Sequence, residues 1–171
     1  MDFVGNRSSE ARVPRLELKN GKFSIWQGAT QPALEFDFAQ GRLLGIEIRK
    51  RKTASGEMTY CDFHLDYGGE SFVISTIASS GVTADLVSRL SNVKDIAQSE
   101  IRIDAWRNDR FTNVQVKENG ISVPFTVLPK VVKNDNGFKV IVDSSERDAA
   151  VMRLIEVINS RIHESCMGAS C

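Results

Sequence analysis

Residues 41–52 read GRLLGIEIRKRK, an alternating apolar run that ends in four consecutive basic residues. A strand turns successive side chains to opposite faces. Leu44, Ile46 and Ile48 therefore fall on one side, and Glu47, Arg49 and Arg51 on the other. Gly45 interrupts the run at a point where a coiled strand can bend or bulge. Five basic residues (Arg42, Arg49, Lys50, Arg51, Lys52) stand against Glu47 alone here, although the whole chain balances 22 basic against 22 acidic residues. A polyanion partner is thus expected from this local cluster and not from net charge.

C-terminal to this stretch, residues 53–58 (TASGEM) form a polar hairpin connection, and residues 59–67 alternate cleanly. Cys61, Phe63, Leu65 and Tyr67 share one face there; Tyr60, Asp62, His64 and Asp66 share the other. Gly68-Gly69 turns the chain into ESFVISTIA, rich in β-branched residues, which completes a three-stranded meander. A helix follows over about residues 82–96, with Val82, Leu86, Leu90 and Val93 at helical spacing and Ser80 or Thr83 as cap. Residues 100–107 and 111–117 return to strand alternation around Asn108-Asp109. Asn119-Gly120 signals another hairpin before residues 121–128, where Pro124 demotes the strand to an edge or bulge.

On the N-terminal side, residues 1–15 read as a flexible, mildly basic arm. LELK and KFSIW flank Asn20-Gly21 as a small hairpin, and Leu34, Phe36 and Phe38 share one side of a further extended piece covering one end of the barrel. Beyond Pro129 come a KNDNG hairpin, a short strand and a long helix over about residues 145–164. That helix carries an apolar stripe of Val151, Leu154, Ile155, Ile158 and Ile162. The chain divides into an arm (1–15), a β extension (16–40), a barrel (41–128) and a C-terminal hairpin and helix (129–171) packed on the same domain.

Several classes of function find no support. Three cysteines, Cys61, Cys166 and Cys171, form neither a disulfide framework nor a CxxC zinc pair, which favours a reducing cytoplasmic setting. The N-terminus has no apolar leader segment, and no apolar run has membrane-spanning length. P-loop, GxGxxG and GxSxG patterns are absent. Asp62, His64 and Asp66 share a strand face that suits a metal or an acid–base cluster. The other histidine, His163, lies far along the chain, so a solvated polar face is the expectation. Cys61 points away from His64, which rules out a thiolate–imidazole dyad within that strand. A non-enzyme without cofactor or metal is expected.

Strand, strand, strand, helix, strand, strand is the element order of a five-stranded OB-fold barrel. The features GRLLGIEIRKRK, TYCDFHLDYGGESFVIS, VTADLVSRLSNVKDI and IRIDAWRNDRFTNVQVKENGISVPF, over residues 41–128, resemble the OB-fold single-stranded DNA-binding proteins of phages and bacteria. The expected fold is therefore mainly β with two helices: an OB-fold-like barrel, an N-terminal extension and a C-terminal helix. The resemblance implies sequence-tolerant binding of single-stranded DNA in replication, recombination or repair. Cations would follow phosphates and aromatic rings would stack on bases. On this chain it points to Trp106, Arg107, Arg110 and Phe111 at one hairpin, and to Arg49, Arg51, Lys52 and Tyr60 at the other.

The rings have a second reading, in which Trp106 covers the N-terminal hairpin and Phe111 is core. RNA offers the same stackable bases and phosphates, so both nucleic acids stay open. The end, SRIHESCMGASC, holds only one acidic residue, unlike the acidic tails of bacterial family members. The long helix is then the surface expected for self-association. A non-catalytic protein-interaction or assembly module on the same barrel is the alternative.

Overall fold

The computed structural model describes residues 13–129, 132–133, 139–140 and 144–168. The arm up to residue 12, residues 134–137 of the KNDNG hairpin and the last three residues lie outside the described residues. In chain order the elements are β1 (Arg15–Lys19), β2 (Lys22–Ile25), β3 (Leu34–Phe36), β4 (Phe38–Thr53), β5 (Gly56–Tyr67) and β6 (Glu70–Ile77). There follow α1 (Gly81–Leu90), β7 (Glu100–Asn108), β8 (Phe111–Glu118), β9 (Ile121–Ser122), β10 (Val132–Lys133), β11 (Lys139–Val140) and α2 (Ser144–Gly168). Arg15, placed at the end of the arm in the sequence reading, opens β1.

The chain is mainly β with two helices, as expected, but its strands form a mixed nine-stranded sheet and not a clearly closed five-stranded barrel. The order is β3-β2-β1-β6-β5-β4-β7-β8-β9, and β10 and β11 pair separately. Closure of an OB-type barrel would bring β8 beside β6. Here β1 takes that edge of β6, running parallel to it with Leu16 opposite Ile74. β8 spends its second edge on β9. The sheet nevertheless curls, because Asp37 alone separates β3 at one end of the order from β4 in its middle. β4 pairs with β7 through residues 38–42 and with β5 through residues 42–53.

The curl has its local cause at Gly45. The β4–β5 register shifts between Leu43 and Gly45, a bulge that reverses which face later residues occupy. Ala39 and Leu43 are buried before it and Ile46 after it. Leu44, expected on the core face, is 42% exposed for that reason. Asn159 of α2 serves the bulge as a neighbouring strand would: it accepts from the Ile46 N–H (2.9 Å) and donates to the Ile46 carbonyl (2.8 Å).

Phe23, Phe63, Leu65, Ile74, Ile101 and Ile103 fill the core together with Leu86 and Leu90 of α1. The stripe Val151, Ile155, Ile158 and Ile162 of α2 packs into this same core, so that face of the helix is turned inward. Ser80 caps α1, accepting from the Thr83 N–H (3.3 Å). The helix stops at Leu90, short of the expected residue 96. Arg161 of α2 holds the turn that follows, donating to the carbonyls of Ser91, Val93 and Lys94 (3.0, 2.6 and 2.9 Å). The strand expected over residues 121–128 ends after Ser122. Pro124 offers no N–H to a ladder, and the segment instead crosses α1, with the Thr126 N–H on the Ser88 carbonyl and Asn92 on the Pro124 carbonyl.

The β1–β2 turn, Asn20-Gly21, has positive φ at both residues (52° and 74°). Gly21 presses against β7 so closely that a Cβ there would stand 2.3 Å from the Arg107 nitrogen. Its N–H reaches Thr112 Oγ1 at 3.1 Å. The turn thereby seals one end of the core.

Candidate nucleic-acid interface

Register places three exposed rings on one face of β4, β7 and β8. Phe38 lies opposite Asp104, Trp106 opposite Asn113, and Phe111 opposite Asn108. Residues 104, 106 and 108 share a face of β7, so Phe38, Trp106 and Phe111 descend a diagonal, one strand across and two residues along at each step. With strands about 4.8 Å apart and a rise of about 3.3 Å per residue, each step spans roughly 8 Å. The rings are 45%, 47% and 63% exposed. The spacing exceeds the ~3.4 Å rise of a stacked strand, so a chain lying along the diagonal would present unstacked bases to successive rings.

Cations accompany the rings. The Arg102 guanidinium lies 3.8 Å from the Phe38 ring centroid, and that of Arg110 lies 5.5 Å from Phe111. Arg102 Nε also donates to Asp104 Oδ1 at 2.8 Å, and Lys117 Nζ meets Asp104 Oδ2 at 2.9 Å. Burial pushes the Asp104 carboxyl up, but Arg102 and Lys117 together outweigh it and hold the group below the usual carboxylate range. Two cations on one carboxylate leave a net positive charge beside Phe38. Arg107, grouped with Trp106 in the sequence reading, alternates to the opposite face beside the Gly21 turn, and its Nε is held by the Asp109 carbonyl (2.5 Å).

The other expected group lies elsewhere on β4. Arg49 sits opposite Tyr60, its guanidinium 5.1 Å from the ring centroid. Its Nε donates to Asp62 Oδ2 at 2.6 Å, and this hydrogen bond raises the Arg49 pKa further. Arg51 and Lys52 continue to the exposed hairpin tip and make no ion pair among the described residues. No described hydrogen bond, ion pair or ring contact joins Arg49, Arg51, Lys52 or Tyr60 to the Trp106 hairpin. The two sets are separate patches on the curled sheet.

Phe38, Arg102 and Lys117 were missed from sequence. The sequence pattern groups Phe38 with Leu34 and Phe36 to cover one end of a barrel, yet these side chains are 45%, 43% and 43% exposed. Its nearness to Trp106 depends on the β4–β7 register, which no local pattern announces.

The face of Asp62 and His64 has pairings of its own. Asp62 is 1% exposed and lies under Arg15 and Arg49, while His64 Nε2 is 3.2 Å from Glu47 Oε2. Burial, with the neighbouring Asp62 charge, pushes the Cys61 thiol up to about 12, so it stays protonated at neutral pH. Among the described residues no three His, Cys, Asp or Glu side chains are grouped to hold a metal ion, and no helix is long and apolar enough to cross a membrane. None of the protein-family models, curated proteins or solved structures with which the chain was compared matches it.

Proposed function

We propose that the chain is a sequence-tolerant binder of single-stranded nucleic acid, DNA first, acting without catalysis in replication, recombination or repair. In this reading the curled part of the sheet from β4 to β8 acts as an OB-like half-barrel, and the strand runs along its outer face. The observation that supports it most is the diagonal of Phe38, Trp106 and Phe111, flanked by Arg102, Lys117 and Arg110. Stacking on an exposed ring contributes about 1–3 kcal/mol per base and is indifferent to sequence, since every base has a π-face. Phosphate contacts add an affinity that falls with salt, with a slope near 0.7 per neutralised phosphate on a single strand.

Anisotropy of a labelled oligo-dT at two salt concentrations tests the reading. Binding should weaken as salt rises, and Phe38→Ala and Phe111→Ala should each weaken it roughly tenfold, about 1.4 kcal/mol. Trp26, Leu34 and Phe36, exposed at the β2–β3 end of the sheet, favour the assembly-module alternative. That alternative predicts self-association or a protein partner and no oligonucleotide response.

A further inference from the structure

We propose that Arg15 and Arg49, gathered over the buried Asp62 carboxylate, form a seat for a phosphate group on the outer face of β1, β6, β5 and β4. The two guanidiniums converge on one oxygen: Arg15 Nη1 and Arg49 Nε each donate to Asp62 Oδ2 at 2.6 Å. Ser75 Oγ donates to Asp62 Oδ1 at 2.5 Å and accepts from Arg15 Nη1 at 2.6 Å. One guanidinium is enough to neutralise a buried carboxylate, so the second is surplus positive charge fixed in place.

Asp62 is 1% exposed, whereas the Arg15 and Arg49 side chains retain 42% and 29% exposure. The carboxylate is beneath and the cations face outward. Arg15 Nε and Nη2 and Arg49 Nη1 carry no partner among the described residues. Their like charges, drawn to the same oxygen, are relieved by an anion that accepts from both forks, and phosphate has the geometry for bidentate guanidinium binding. Tyr60, against Arg49, adds a ring beside the seat.

Two sources supply this chemistry: a phosphodiester of a bound strand, which rests on the function proposed above, and a free phosphate, which does not. The test follows the arginine Nε–H resonances of the 15N-labelled full chain, assigned with Arg15→Lys and Arg49→Lys. Inorganic phosphate should move the Arg15 and Arg49 signals where chloride at equal ionic strength does not. Arg15→Lys should weaken the phosphate response roughly tenfold. If Arg49→Lys fails to fold, Arg15→Lys alone carries the test, because Arg15 is the more exposed of the pair. Equal responses to phosphate and chloride, with no response to oligo-dT, overturn the seat.

Oligo-dT moving the same signals assigns the seat to the strand's backbone; phosphate moving them while oligo-dT does not assigns it to a free phosphate. Quenching of Trp106 by oligo-dT reads the stacking face independently. Quenching with both arginine signals unmoved overturns the seat and leaves the proposed function standing. Moved signals without quenching leave the seat and overturn the stacking face.

Discussion

Asp62→Asn isolates the electrostatic knot on the outer face of the sheet. The substitution keeps the side chain's volume and one acceptor, and removes the charge that holds Arg15 and Arg49 together. Breaking a buried ion pair by removing one partner costs about 3–5 kcal/mol. The two arginines keep 42% and 29% side-chain exposure, so water recovers part of the loss, and we expect about 2 kcal/mol. Urea unfolding at pH 7 should show a lower midpoint with an unchanged slope.

The same difference should depend on pH with a definite sign. Burial alone would raise the Asp62 carboxyl, but hydrogen bonds from Arg49, Ser75 and Arg15 outweigh it and hold the folded-state value below the ordinary one. A group depressed on folding contributes its full stability above the unfolded value, about 3.9, and loses it as pH falls through the folded value. The gap between native protein and Asp62→Asn should therefore be constant between about pH 5 and 7 and close below about pH 4. A gap under about 0.5 kcal/mol at pH 7, or one that widens on acidification, would refute this account of the cluster.

Three further outcomes follow from the packing. Gly21→Ala puts a methyl 2.3 Å from the Arg107 nitrogen at a residue with φ of 74°, and should lower stability by about 2 kcal/mol or more in the same urea assay. Asn159→Ala leaves both backbone groups of Ile46 without their partner at the bulge; a loss of about 2 kcal/mol is expected, and a loss near zero would show that water replaces the amide fully. Cys61, fully buried with its thiol pushed up to about 12, should resist a thiol reagent at pH 8 until the chain unfolds, while exposed Cys166 labels at once, as peptide mass mapping would read.

Much of this architecture could be read locally. Asn20-Gly21, Gly68-Gly69 and Asn119-Gly120 mark hairpins because their turns need positive φ, and the strict alternation through Phe63 and Leu65 marks β5 because Cys61, Phe63 and Leu65 on one face are fully buried. Gly45 marked the bulge, but its effect on Leu44 was lost: a bulge reverses the faces, and the alternation of Leu44 with Ile46 conceals the reversal. The parallel pairing of β1 with β6 joins segments more than fifty residues apart and has no local signal. This pairing is also what displaces β8 from the position an OB-type closure requires.

At the candidate site, Trp106 and Phe111 were legible because one hairpin carries both. Phe38 was not, since it reaches them only through the β4–β7 register. Arg49 is expected from sequence among the phosphate-following cations; its pairing with Asp62, diagonally across its own hairpin, emerges only when the register is counted back from the Thr53–Gly56 turn.

The most direct test of the central claim is intrinsic fluorescence of Trp106 in a Trp26→Phe background, which removes the other, 77% exposed, indole. Oligo-dT should quench it, with an apparent affinity that falls as salt rises. A signal that stays flat through saturating oligo-dT at low salt would contradict the claim that this face stacks bases.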